Sequence, residues 1–191
     1  MIIYIHGFGS SGEASKSKLF RKYFKSIGEG FIAPSLSYVP ELAIKTLEEL
    51  IESYHEDVYL IGSSLGGYYS TYLSQKKEVK KVVLINPAVN PTITLIRALG
   101  DAPNFYDESY YNWNKNHLDI QNEYKLEMDL LSKMDKENFL LMVQKGDELL
   151  DYNEAVEKYE GAVQIVEENG NHGFENIENH FETIRKFFTC K

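Results

Sequence analysis

Six short apolar runs, Ile2–Ile5, Phe31–Ala33, Val58–Ile61, Val82–Ile85, Phe139–Val143 and Val163–Val166, recur along the chain with helix-patterned stretches between them. Strands that are apolar at nearly every position, rather than at alternate ones, are buried on both faces, and the intervening helices are what cover them. The expected fold class is therefore α/β, a mainly parallel sheet of about six strands with helices on both faces. The helical stretches carry their own signals. Leu19, Phe20, Tyr23, Phe24 and Ile27 fall at helical spacing, and Pro40 stands at a helix start before Leu42, Ile44, Leu47, Leu50 and Ile51. An aromatic helix is expected from about Leu65 to Ser74, and Ile177, Phe181, Ile184, Phe187 and Phe188 predict a closing amphipathic helix.

The stretch from about residue 91 to residue 136 breaks this rhythm. It is rich in Tyr, Asn and acidic residues, holds the only tryptophan, Trp113, and has no strand-like run. It reads as a small helical lid inserted into a single domain spanning 1–191, whose Phe105, Tyr106, Tyr110, Tyr111 and Trp113 either line an acyl pocket or simply cover the sheet. A length of 191 residues suits one core that also carries a ligand-sized cleft.

Charge narrows the partners. Twenty basic against 29 acidic side chains give a formal net charge of −9, which repels phosphate backbones, so nucleic acid is not an expected partner. The basic stretches Lys16–Lys25 and Lys76–Lys81 read as solvated surface. No run approaches the twenty or so apolar residues that cross a bilayer, and the N-terminus lacks the basic and cleavage-site features of a signal peptide. Cys190 has no internal partner because it is the only cysteine. A cytoplasmic protein with no membrane association is expected.

The chemistry is concentrated in four loops. Gly62-Ser63-Ser64-Leu65-Gly66 is a G-x-S-x-G at a predicted strand-to-helix junction, the setting in which a tight turn lifts a serine above the sheet edge. A serine hydroxyl needs a base, and Gly170-Asn171-His172-Gly173 follows the last strand. Gly146-Asp147 follows the strand before it, giving the order Ser64, Asp147, His172 at the carboxyl ends of strands. Asp147 has competitors on its own loop, Glu148 and Asp151; it stands first after the strand, while Asp151 can cap a helix through Glu154 to Tyr159.

After the first strand, His6-Gly7-Phe8-Gly9-Ser10-Ser11-Gly12 formally matches the dinucleotide fingerprint, but no acid closes the second strand. Glu13 likewise stands where a phosphate loop needs lysine. In acyl transfer this loop would instead donate the Phe8 backbone N–H to an oxyanion, with Leu65 supplying the other, and His6, Gly7, Gly62 and Gly66 would support the backbone around them. His55, His117 and His180 read as solvated. No spacing points to a metal, and no cofactor is required.

The set His6-Gly7-Phe8, Gly62-x-Ser64-x-Gly66-Gly67, Asn86-Pro87-Ala88, Gly146 to Tyr152 and Gly170-Asn171-His172-Gly173-Phe174 resembles the YqiA-like (UPF0227) esterase family over essentially the whole chain. The resemblance implies a compact α/β-hydrolase and a Ser-Asp-His esterase acting on carboxylic esters or thioesters, with Ser64, Asp147 and His172 at the matching positions. The expected partner is a small acyl ester or thioester. Two alternatives stand beside it. One is an acyl-carrier or acyl-CoA thioesterase or methyl esterase, whose acidic carrier would dock on Lys18, Arg21 and Lys22. The other is a non-catalytic homologue that binds a ligand.

Overall fold

A computed structural model describes residues 1–76, 78–125 and 136–190. Six strands form one sheet: β1 (Ile2–Ile5), β2 (Phe31–Ile32), β3 (Val58–Ser63), β4 (Val79–Ile85), β7 (Phe139–Gln144) and β8 (Val163–Glu167). Their order is β2-β1-β3-β4-β7-β8, and every neighbouring pair is parallel. The helices are α1 (Ser15–Ser26), α2 (Pro40–Glu52), α3 (Leu65–Leu73), α4 (Pro91–Thr94), α5 (Lys115–Glu123), α6 (Tyr152–Lys158) and α7 (Phe181–Thr189).

Period-two alternation divides each apolar strand between two cores. Ile3, Ile5, Leu60, Leu84 and Leu141 pack with α2, α3 and α6 on one face, through Leu47, Tyr69 and Tyr159 among others. Ile2, Tyr4, Ile61, Val83 and Met142 pack with α1 and α7 on the other, through Phe20, Phe24 and Ile184. The expected sheet, covered on both faces, is thus what forms. Of the apolar residues that announce α1, Phe20 and Phe24 are buried while Leu19 and Ile27 are exposed, because a helix lying on a sheet turns only one stripe inward. The closing helix begins with a 3-10 turn, Ile177–His180, before α7.

Chain order places the site. From β1 the chain moves outward to β2 and then returns to form β3 on the other side of β1, so the loops leaving β1 and β3 diverge. A crevice opens at such a switch point, at the carboxyl end of the strands. The Gly-rich loop and the G-x-S-x-G turn are these two loops.

The inserted segment corrects the expectation of a helical lid without strands. Its centre is an antiparallel hairpin of β5 (Gly100–Pro103) and β6 (Tyr110–Trp113), preceded by α4 and followed by α5. These strands escape an apolar-run search because one face alone is covered. Ala102 and Trp113 are 1% exposed, while Asp101 and Asn112, paired across the hairpin, face outward. Residues 126–135 of the insertion, Lys77 of the second basic stretch, and Lys191 lie outside the described residues.

Three further expectations change. His117 is buried rather than solvated: its ring nitrogen accepts the Asn114 N–H while its own N–H caps onto the Asn114 side chain. His180 is half-buried against Glu167 at 2.9 Å, whereas His55 is exposed as expected. The basic stretches divide: Lys18, Lys22, Lys25 and Lys80 are exposed as expected, whereas Lys76 pairs with Glu48 and Glu52, Lys81 donates to the Phe187 and Cys190 carbonyls, and Lys16 turns inward to Ser63. Among the described residues no helix is long and apolar enough to cross a membrane.

Candidate active site

The turn from β3 into α3 holds Ser64 at φ 55° and ψ −122°, a left-handed conformation that a residue with a side chain adopts only when its surroundings impose it. Here they do. Ser64 N–H donates to the Ile85 carbonyl at 3.0 Å, and its own carbonyl accepts from Gly67 N–H at 2.9 Å and Ala88 N–H at 3.0 Å. The flanking glycines are needed for close approach. A Cβ on Gly66 would overlap the Ile5 carbonyl, and one on Gly62 would overlap the Ser70 hydroxyl and the Gly66 carbonyl. Gly7 approaches from the first loop, where an added Cβ would stand 3.0 Å from the Ser64 Cβ.

Three side chains from three loops meet at this turn. His172 Nε2 lies 2.9 Å from Ser64 Oγ, and His172 Nδ1 lies 2.8 Å from Asp147 Oδ2 and 3.0 Å from Oδ1. With a carboxylate on Nδ1, that nitrogen carries the proton and Nε2 is left to accept from the serine hydroxyl. Asp147 is itself fixed, since its Oδ1 accepts the Leu149 and Leu150 N–H groups, each at 2.9 Å. Burial pushes this carboxyl up, but the hydrogen bond and charge of His172 and the two N–H groups outweigh it, so Asp147 sits below its ordinary value and stays ionised at neutral pH.

The two competing acids take other posts. Glu148 accepts the backbone N–H of His172 at 3.0 Å, which holds its carboxyl below the usual range. Asp151 caps α6 by accepting from Asn153 N–H.

Sequence reasoning passed over the residue that carries the histidine loop, Gln144. Its side-chain oxygen accepts from Asn171 N–H and Glu175 N–H, and its amide donates to the Glu167 carboxylate and the Glu175 carbonyl. Asn86 completes the frame by donating to the Asn171 and His172 carbonyls while accepting from Gln144 N–H. The available signal was a polar residue ending an otherwise apolar strand, because a buried amide is kept only where it meets partners.

The first loop brings Phe8 to the same place. The buried His6 ring accepts the Leu36 N–H on Nε2 at 3.0 Å, so Nδ1 carries the proton and donates it to the Gly7 carbonyl at 2.8 Å. That bond orients the Gly7–Phe8 peptide and hence the Phe8 N–H. Among the described residues, neither Phe8 N–H nor Leu65 N–H has a protein acceptor. The hairpin braces the loop: Phe105 N–H donates to the Gly9 carbonyl at 2.7 Å, and the Phe8 ring packs edge-on against Trp113 at 4.9 Å. Beside Phe8 and Leu65 opens a cavity of about 360 Å³ walled by Tyr38, Tyr69, Tyr110 and Tyr111.

Burial pushes His6 below its ordinary value of 6.5, partly offset by the Gly7 carbonyl. A histidine that folding makes harder to protonate contributes stability that is full above its unfolded value and fades as pH falls below it. His6→Ala is therefore expected to lose about 1–3 kcal/mol at pH 7.5, because Leu36 N–H and the Gly7 carbonyl lose their partner. Urea denaturation at pH 7.5 and pH 5 should show the gap to wild type narrowing at the lower pH; a gap that widened would mean that the folded state binds the proton.

Residues 1–189 match the profile of a family described as Uncharacterised protein family (UPF0227). A UPF0227 protein of Vibrio parahaemolyticus is 25% identical over 192 residues, covering 98% of each chain. Solved structures are similar in fold. Alpha/beta hydrolase domain-containing protein 10 from mouse superposes with a TM-score of 0.75 at 18% identity, covering 98% of this chain and 88% of that one. Est1E from Butyrivibrio proteoclasticus, solved with ferulic acid bound, gives 0.75 at 14% identity, covering 98% and 87%. The fold is that of the α/β-hydrolases.

Proposed function

The chain belongs to the UPF0227 family, and on the geometry of its carboxyl-end crevice we propose that it is a serine esterase that cleaves carboxylic esters or thioesters through an acyl-enzyme. One observation carries this reading: the unbroken hydrogen-bonded array from Ser64 Oγ through the His172 ring to Asp147, on a turn that presents the serine.

His172 Nε2 takes the Ser64 proton as Oγ attacks the substrate carbonyl carbon. The carbonyl oxygen, now negative, is held by the Phe8 and Leu65 N–H groups; removing one such donor typically lowers turnover about 10²- to 10³-fold. His172 returns the proton to the leaving alcohol or thiol, leaving Ser64 acylated. Water then repeats the sequence and releases the acid. Asp147 keeps the ring in the required tautomer and stabilises its charged form without taking the proton. The acyl group occupies the tyrosine-walled cavity, where aromatic faces take an apolar group and the hydroxyls a polar one.

A fluorophosphonate tests this directly, since Ser64 would displace fluoride and keep the phosphonyl group. The expected result is one adduct per chain, on the peptide carrying Ser64, with turnover of a p-nitrophenyl ester series from acetyl to palmitoyl sizing the cavity. A folded chain that is neither labelled nor active, or that is labelled elsewhere, rejects the reading.

A second reading, an acyl group delivered on an acidic carrier, is favoured by the placement of Lys18. Its ammonium lies 5.5 Å from the Tyr106 ring centre, so the basic face of α1 adjoins the turn of the hairpin whose Asn104, Ser109 and Tyr110 line the cavity. Lys22 is exposed on the same helix, whereas Arg21 is already paired with Glu13 at 2.7 Å. Lys18→Glu with Lys22→Glu should slow hydrolysis from an acidic carrier about tenfold at low salt and spare p-nitrophenyl esters. Equal rates on the carrier before and after charge reversal would remove it.

A further inference from the structure

Lys16 is the second residue of α1, and its side chain runs inward against the trend of a surface helix. Its ammonium donates to Ser63 Oγ at 2.8 Å, and Ser63 is the buried residue immediately before the nucleophile. The same hydroxyl meets the phenol of Tyr4, from β1. Asp147, on the loop after β7, acts on this ammonium by its charge. The lysine thus meets β3 one residue before the nucleophile, at a hydroxyl shared with Tyr4, although the hydrogen-bonded array of Ser64, His172 and Asp147 is complete without it.

We propose that Lys16 is a positioning residue for the chemistry at Ser64: anchored by Ser63 and acting on Asp147 from outside the array, its charge sets how strongly His172 draws the serine proton. This rests on the esterase reading above. Asp147 promotes proton transfer because its negative charge stabilises the imidazolium. A second cation acting on the same carboxylate diminishes that stabilisation, which makes His172 a weaker base toward Ser64 and a better acid toward the leaving group. Anchoring to Ser63 holds the ammonium beside the turn that carries Ser64 instead of leaving it in solvent.

The charge is removable within an accessible range. Burial pushes Lys16 down to about 8, although Asp147 pulls it back up. Of the groups tied to it, Asp147 is held below its ordinary value and already ionised, and Tyr4, which shares the Ser63 hydroxyl, is kept neutral by burial. Lys16 is then the group beside Ser63 that changes charge near pH 8.

The experiment is the second-order rate of labelling by a fluorophosphonate between pH 5 and 9.5, a probe that reads the nucleophile without knowledge of the natural substrate. In wild type the rate should rise along an acid limb and climb again, centred near pH 8, as Lys16 loses its proton. In Lys16→Met the acid limb should move upward by about 0.5 to 1 pH unit, since the field of Asp147 is no longer opposed, and the second rise should vanish. In Lys16→Arg the acid limb should return toward wild type and the second rise should again be missing, because a guanidinium does not titrate in this range. A lysine that merely tied α1 to the turn would lower the melting temperature without moving either feature. Coincident acid limbs in wild type and Lys16→Met, or a second rise that survives in Lys16→Arg, overturn the proposal; if Lys16→Met does not fold, the arginine variant decides. Wild type that is not labelled at all fails the esterase reading itself, a result distinct from labelling with an unchanged profile.

Discussion

Ser64→Ala is expected to lower kcat for ester hydrolysis by about 10⁴- to 10⁶-fold and to abolish fluorophosphonate labelling, while urea denaturation stays within about 1 kcal/mol of wild type. The proposed mechanism makes the loss large because its hydroxyl would form and break the bond to the acyl carbon, and no neighbour can replace it: the adjacent Ser63 hydroxyl is buried and engaged with Lys16. Stability changes little because the turn is held by the Ser64 backbone, through Ile85, Gly67 and Ala88, rather than by Oγ. Asp147→Asn should lose about 10⁴-fold in kcat, since an amide facing Nδ1 favours the tautomer that puts a proton on Nε2. Glu148→Gln, by contrast, still offers an oxygen to His172 N–H and should lose less than about tenfold. Steady-state rates on p-nitrophenyl acetate separate these cases, and comparable losses in Asp147→Asn and Glu148→Gln would contradict the assignment of the acid.

Gly66→Ala is expected to have the largest effect on folding, about 3 kcal/mol or more, with activity lost even where folded chain remains. The new Cβ would overlap the Ile5 carbonyl and stand 2.8 Å from the His6 carbonyl. Neither can give way easily. Ile5 lies in a strand bonded to β2 and β3 on its two sides, and His6 is held by its ring bonds to Leu36 and Gly7. Separation of α3 from β1 would relieve the clash and would also pull Leu65 N–H away from Phe8 N–H. Gly28→Ala supplies the contrast: it has φ 78° but no atom within 4 Å of an added Cβ, so only about 1 kcal/mol of backbone strain is expected and activity should be kept. Urea denaturation with labelling of each variant tests the pair; equal destabilisation would mean that the backbone around Gly66 yields to the added Cβ and packing there is not decisive.

The sequence by itself determined the sheet and the loops that form the candidate site. Apolar runs mark strands buried on both faces whatever surrounds them, and G-x-S-x-G, Gly-Asp and Asn-His-Gly after successive runs mark their carboxyl ends, because parallel strands return every such loop to one edge. It could not determine the hairpin of the insertion, where one covered face leaves Ala102 and Trp113 as the buried residues among eight strand residues and no continuous apolar run. It favoured Asp147 over Glu148 only by position after the strand; what distinguishes them is whether the carboxylate meets the ring or the backbone of His172, a matter of loop path rather than residue type. Gln144, Asn86 and Lys16 act through partners 27, 85 and 47 positions away in the chain, respectively. Periodicity and motif spacing report what a residue does within its own element; which distant group it will meet is decided only when the elements pack.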